Sequence, residues 1–323
     1  MKFYRKVTQA VPNGADFIES RGRSFADEWP VAEDYVIQSG LVRPRVGGKP
    51  VAREYLPMAQ PELPAEFAKV GGGDGEGAVL GFIRRYGLLG YAQAWRFPFE
   101  ELGAARSRFY TPNLAGDPVP WLVAHARAVA LVGELARALD EPEALSLQIG
   151  QLTVRAATGD EMLAFSVPGR GRTRPGQVQM RPRKSPRESA LEIIAHILNE
   201  NLDGVSRTLL VEPQDDRRLG LTSLFTPLNL LDAIYWLLAD AVVGARVRSC
   251  LACKRFFMAT SDRMKFCPPP MGLAGVSRCM NRFKQQQFRE RKAARAKGGE
   301  RRRGRKRAQA KTAVSIKATH RRS

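Results

Sequence analysis

Residues 246–297 read RVRSCLACKRFFMATSDRMKFCPPPMGLAGVSRCMNRFKQQQFRERKAARAK and hold every cysteine of the 323-residue chain. Cys250 and Cys253 form a C-x2-C pair, Cys267 follows after thirteen residues, and Cys279 after eleven more. A C-x2-C turn bends the backbone so that two sulfurs face one point, and four thiolates supply the tetrahedron that zinc takes in structural sites. With all four positions filled by protein, no place is left for a catalytic water, so one structural Zn2+ is expected on Cys250, Cys253, Cys267 and Cys279. Two disulfides are the alternative for the same cysteines. A C-x-x-C redox pair would leave Cys267 and Cys279 unexplained. The N-terminal MKFYRKVTQA has no apolar h-region, and no run approaches the ~18 consecutive apolar residues of a membrane span. A reducing, cytoplasmic setting without a membrane partner is therefore expected, and it favours metal over disulfide.

Local pattern gives the segment a shape. A small hairpin is expected from Arg255-Phe256-Phe257 to a return strand at Met264-Lys265-Phe266. From Met280 to Lys297 there is neither Pro nor Gly, and the Gln, Arg, Lys and Ala present are good helix formers. Cys279 is expected at the start of that helix, where the positive end of the helix dipole favours a thiolate. Knuckle, hairpin and helix together suggest a treble-clef-like finger. The stretch from Pro268 to Arg278 must loop out of the site.

Charge separates this end from the rest. The chain carries a net +20, yet residues 246–323 hold 24 Lys and Arg against 3 acidic residues, a net of +21. The preceding 245 residues carry 28 basic and 29 acidic side chains. Such asymmetry points to a polyanion-binding end on a neutral folded body. Four thiolates around Zn2+ keep a net charge of −2, which Lys254, Arg255, Arg278 and Arg282 would partly balance, but that demand does not absorb more than twenty cations. Arg255, Lys265, Arg278, Asn281, Arg282, Lys284, Arg289, Arg291 and Lys292 are the candidate nucleic-acid contacts. Arg and Gln reach base edges as well as phosphates. Asn281 reads first as a residue bonded within the finger and second as a base contact. Phe283 and Phe288 read as packing under the knuckle against Phe256 or Phe257 rather than as stacking platforms. Residues 298–323, with the run Arg301 to Arg307, form an expected disordered, phosphate-binding tail.

The segment resembles the CGNR zinc finger, a bacterial domain that is paired with an N-terminal ABATE domain in proteins described as transcription regulators. CLAC at 250–253, Phe256-Phe257, RMKFC at 263–267, CMNR at 279–282 and RERK at 289–292 carry the resemblance. Met280 stands where the signature has glycine, and the gap before Cys279 is longer. The resemblance implies a DNA-binding regulator at the nucleoid, and the helices near Phe82–Gly87 and before the finger resemble ABATE more loosely.

The body, 1–245, is expected to be α+β: mainly helical, with a small β-hairpin or sheet. A short strand or turn is expected at 34–41, extended loop at 47–64 and a flexible joint in the glycine run 71–77. Helices are expected at 78–86, 119–139, from Pro186 to about Gly204, and at 228–247, the last running straight into the finger. Alternation at 147–154 predicts a strand paired with 162–167 across a turn at 158–160, and 169–186 reads as exposed loop. His125 and His196 read as core residues rather than ligands. No G-x-x-x-x-G-K-S/T or G-x-S-x-G motif occurs, so no enzyme is expected. The chain therefore reads as a zinc-dependent nucleic-acid-binding protein, with DNA ahead of RNA or the ribosome and a homodimer allowed. A ligand-sensing body with the basic end as a localising device is the further alternative.

Overall fold

The computed structural model describes residues 29–49, 51–73, 75–91, 116–169, 174–202, 229–269 and 277–293, and the backbone alone of 4–5, 20–21, 205–215 and most of 218–227. The fold is mixed helix and strand with several small antiparallel sheets. The tail, residues 270–276 of the expected loop and His320 lie outside the described residues.

Helix α3, Val119–Ala138, occupies the middle. It opens with Pro120, whose ring suits the first helical turn. Trp121, Leu122, Val129, Val132 and Leu135 are fully buried along it. It packs against α1 (Leu63–Gly71), α2 (Glu76–Tyr86), α4 (Pro142–Leu152), α5 (Pro186–Leu202) and α6 (Leu230–Val243). Its length and apolarity would also suit a membrane span, but here its apolar residues form the centre of the protein. Each fully buried large side chain contributes about 1.5–3 kcal/mol. His125 is completely buried, with Nδ1 2.9 Å from the Tyr235 hydroxyl. His196 is half-buried, its ring edge-on to Phe165.

Side-chain caps fix two helix starts in the body. Ser185 Oγ accepts the Glu188 N–H at α5, and Asn229 Oδ1 accepts the Asp232 N–H at α6. Strands β4 (Tyr35–Gln38) and β5 (Leu41–Pro44) form a hairpin joined by β7 (Asp117–Pro118), and β3 (Trp29–Val31) pairs with β6 (Arg53–Tyr55). Backbone alone defines two further pairs: β1 (Tyr4–Arg5) with β2 (Ser20–Arg21), and β11 (Val205–Asp215) with β12 (Arg218–Pro227).

Several expectations change. The loop expected at 47–64 contains β6, a 3-10 turn at Pro57–Ala59 and the start of α1. The glycine run 71–77 carries the turn between α1 and α2. A Cβ on Gly71 would come within 2.8 Å of the Arg127 nitrogen, so α1 ends hard against the α3 backbone. Residues 147–152 are helical, not strand. Pro142 starts α4, Leu145 and Ile149 bury one face, and Leu147 is exposed. The strand begins only at Thr153: β8 (Thr153–Arg155) pairs with β9 (Glu161–Val167) across the expected turn, where Gly159 takes φ 88. The loop expected at 169–186 contributes β10 (Gly176–Met180) to the same sheet.

The expected 228–247 helix stops at Val243. Ala245 turns left-handed (φ 51) and the Arg246 N–H closes on the Ala241 carbonyl at 2.8 Å. The chain then enters β13 (Val247–Ser249), which pairs with β14 (Phe256–Met258). The return strand of that hairpin is therefore not 264–266, which forms no strand.

Candidate metal centre and basic helix

The hairpin β13–β14 carries the knuckle between its strands. Ser249 faces Phe256 in register, and beyond them the Cys250 N–H donates to the Arg255 carbonyl at 2.9 Å. The Lys254 N–H returns to the Cys250 carbonyl at 2.9 Å, with Lys254 left-handed at φ 61. This tight turn brings Cys250 and Cys253 to one side.

Strand β14 is buried on both faces. Phe256 and Met258 enter the main core, while Phe257, completely buried, joins Cys250 and Ala259 in a second small core. Cys253, Met264, Phe266, Cys267 and Cys279 surround that second core. The segment leading to Cys267 is tied by the Leu251 N–H to the Lys265 carbonyl (3.0 Å) and by an exposed Arg248–Asp262 ion pair at 2.7 Å.

The fourth cysteine arrives on α7, residues 278–293. Ser277 caps this helix, its Oγ accepting the Met280 N–H at 3.3 Å and its carbonyl the Asn281 N–H at 3.0 Å. Cys279 lies in the first turn. Cys279, Met280, Phe283 and Gln287 are half-buried, and every other residue of the helix is exposed. Phe283 meets Phe266 with ring centroids 5.3 Å apart.

All four sulfurs lie within 4.8 Å of one another, with Cys253 and Cys267 at 3.6 Å. All four cysteines are unbridged, since a disulfide would need about 2.05 Å. This group could hold a metal ion. Burial alone would push the Cys250 thiol up, but the N–H groups of Cys253, Cys267 and Ala252 outweigh it and bring Cys250 down to about 7. Burial, followed by the charges of Cys250 and Cys253, pushes Cys279 up to about 11 and Cys267 well up. One thiolate forms readily, and a cation at the centre would favour the others.

No family model, curated protein or solved structure matches the chain.

Most of the expected nucleic-acid-binding residues share one element. Arg278, Asn281, Arg282, Lys284, Arg289, Arg291 and Lys292 are all exposed on α7. Among the described residues, none of these cations forms an ion pair, and Glu290 accepts a hydrogen bond from Gln286 at 3.0 Å. Arg255 and Lys265 are also exposed, but they stand apart, beside the knuckle. Two side-chain expectations change. Asn281 faces solvent and, among the described residues, its side chain is bonded to nothing in the finger. Phe283 packs on Phe266 rather than on Phe256 or Phe257, and Phe288 is 69 % exposed rather than packed under the knuckle. The Ser277 cap was missed. Its signal was a Ser directly before a long run of helix formers.

Proposed function

We propose that the four cysteines hold one structural zinc ion and that the helix they anchor binds nucleic acid, in a regulator acting on DNA. Soft thiolates in a set of four suit zinc. Four sulfurs at about 2.3 Å from a metal stand about 3.8 Å apart, close to the spacing of this group. Bound zinc would supply the positive charge that lets Cys267 and Cys279 ionise beside Cys250. Ser277 and Phe283 would then hold α7 against the site. A knuckle held inside a hairpin and followed by a helix supports a treble-clef-like finger, and the resemblance to the CGNR finger points the same way.

The observation that carries the reading is the exposed face of α7. Six cations occur within fifteen residues, with one acid and no described ion pair among them. A solvated helix of this length would gain from i,i+4 acid–base pairing, which this one forgoes. Phosphates would complete it.

The test is a mobility shift on duplex DNA across a salt series. Binding should weaken steeply as salt rises. Replacing Arg282, Arg289 and Lys292 by Gln should weaken it and make the log–log slope shallower by roughly one for each phosphate no longer neutralised. Affinity indifferent to salt, or unchanged in that variant, would contradict the reading. RNA is the second reading, favoured by the uncovered ring of Phe288.

A further inference from the structure

Phe288 is the one large aromatic ring that the described part of α7 leaves in solvent, at 69 % exposure. Its surroundings are not those of a surface residue placed at random. Lys284 lies four residues before it, Arg291 three after and Lys292 four after, so all three neighbour it on the helix surface at about 5–6 Å between Cβ atoms. Asn281 and Gln285 continue the same exposed strip toward the metal centre. The opposite side of the helix is the one that packs, through Cys279, Phe283 and Gln287. The ring is thus held out on a helix whose base is anchored, within a cluster of cations that form no described ion pair.

An exposed Phe ring forfeits about 1.5–3 kcal/mol of possible burial. A second copy of this chain would recover it, but two such faces would bring three cations on each side together. A polyanion suits the charge. Among polyanions, one with accessible base faces also covers the ring. The phosphates of a closed duplex would meet the cations and leave the ring in water.

We propose that Phe288 is a stacking platform for an unpaired base, so that the exposed strip of α7 binds single-stranded nucleic acid. Lys284, Arg291 and Lys292 take the flanking phosphates, and Asn281 and Gln285 meet base edges or sugar. This rests on the nucleic-acid reading above and adds to its phosphate contacts a site for strands whose bases are open. DNA and RNA single strands share the chemistry, and the 2′-hydroxyl distinguishes them.

The experiment measures binding of the full, metal-loaded chain to short thymidine and uridine single strands and to a DNA duplex of equal length. Phe288→Ala should weaken single-strand binding roughly 5- to 100-fold and leave duplex binding nearly unchanged. Phe288→Trp should restore single-strand binding and add a tryptophan emission that the strand quenches. Because the ring is exposed, neither change threatens the fold. A thymidine or uridine preference would identify the source of the strand. Equal single-strand affinity of Phe288→Ala and the wild type would overturn the platform while leaving nucleic-acid binding intact. So would an unquenched tryptophan, an equal weakening on duplex, or a change in sedimentation mass marking a second copy as the occupant. A wild type that binds neither strand nor duplex would overturn both readings.

Discussion

Asp117 is fully buried and accepts the Tyr91 N–H at 2.9 Å and the Leu89 N–H on its other oxygen. Burial still dominates these donors and pushes its carboxyl from 3.8 up to about 6. Between those values the folded chain holds a proton that the unfolded chain has released. Stability contributed here is therefore present at low pH and is lost as pH rises to about 6, then levels. The stability gap between wild type and Asp117→Asn should change by up to ~3 kcal/mol across that window and be flat above it. Denaturant titrations at several pH values measure it, and parallel curves would show that Asp117 does not titrate there. At this scale the cysteines were legible in the sequence, because soft-ligand chemistry is a property of residue type and spacing. Asn281 and Phe288 were misread, because whether a side chain is covered depends on where a distant segment lies.

Helix α7 is held in place by few contacts. Its packing side amounts to Cys279, Met280, Phe283 and Gln287, so its cap matters. Ser277→Ala should cost about 1 kcal/mol, and Ser277→Asp should retain the stability through its carboxylate near the helix N-terminus. Thermal unfolding of the metal-loaded protein checks this, and an alanine variant as stable as wild type would show the cap to be idle. The strongly periodic helices at 78–86 and 119–139 were readable almost to the residue. The stretch 147–152 was not, since Leu147 and Ile149 are two apart, as on a strand face, while Ile149 and Leu152 are three apart, as on a helix face. Pro142, and Leu145 beside Ile149 on one buried face, settle it as helix. Helix α1 was hidden by the prolines around it, although Pro64 in its first turn is itself a start signal.

In the whole molecule, three residues of β14 belong to two cores at once. Charge drew a boundary near residue 246, but packing crosses it: Phe256 lies against Gly133 of α3, where an added Cβ would collide with the ring. Gly133→Ala should therefore destabilise the protein by roughly 1–3 kcal/mol, despite alanine's better helix propensity. Combining it with Phe256→Leu should recover part of that stability. A Gly133→Ala variant more stable than wild type would mean that Phe256 does not seat on α3. No sequence pattern announced this packing, because a helical glycine shows its use only when the partner ring is in view. Its consequence is that the cysteine cluster and the basic helix are fixed to the body rather than tethered to it.

The proposal that zinc holds α7 is tested most directly by measuring metal content and nucleic-acid affinity together, in the wild type and in Cys279→Ser. Wild-type protein should carry one zinc per chain, and the variant should lose zinc and nucleic-acid binding together, because a metal shared by Cys279 and the knuckle cysteines would tie α7 to them. A wild type that carries no metal, or a Cys279→Ser variant that loses zinc and binds as tightly as before, would contradict it.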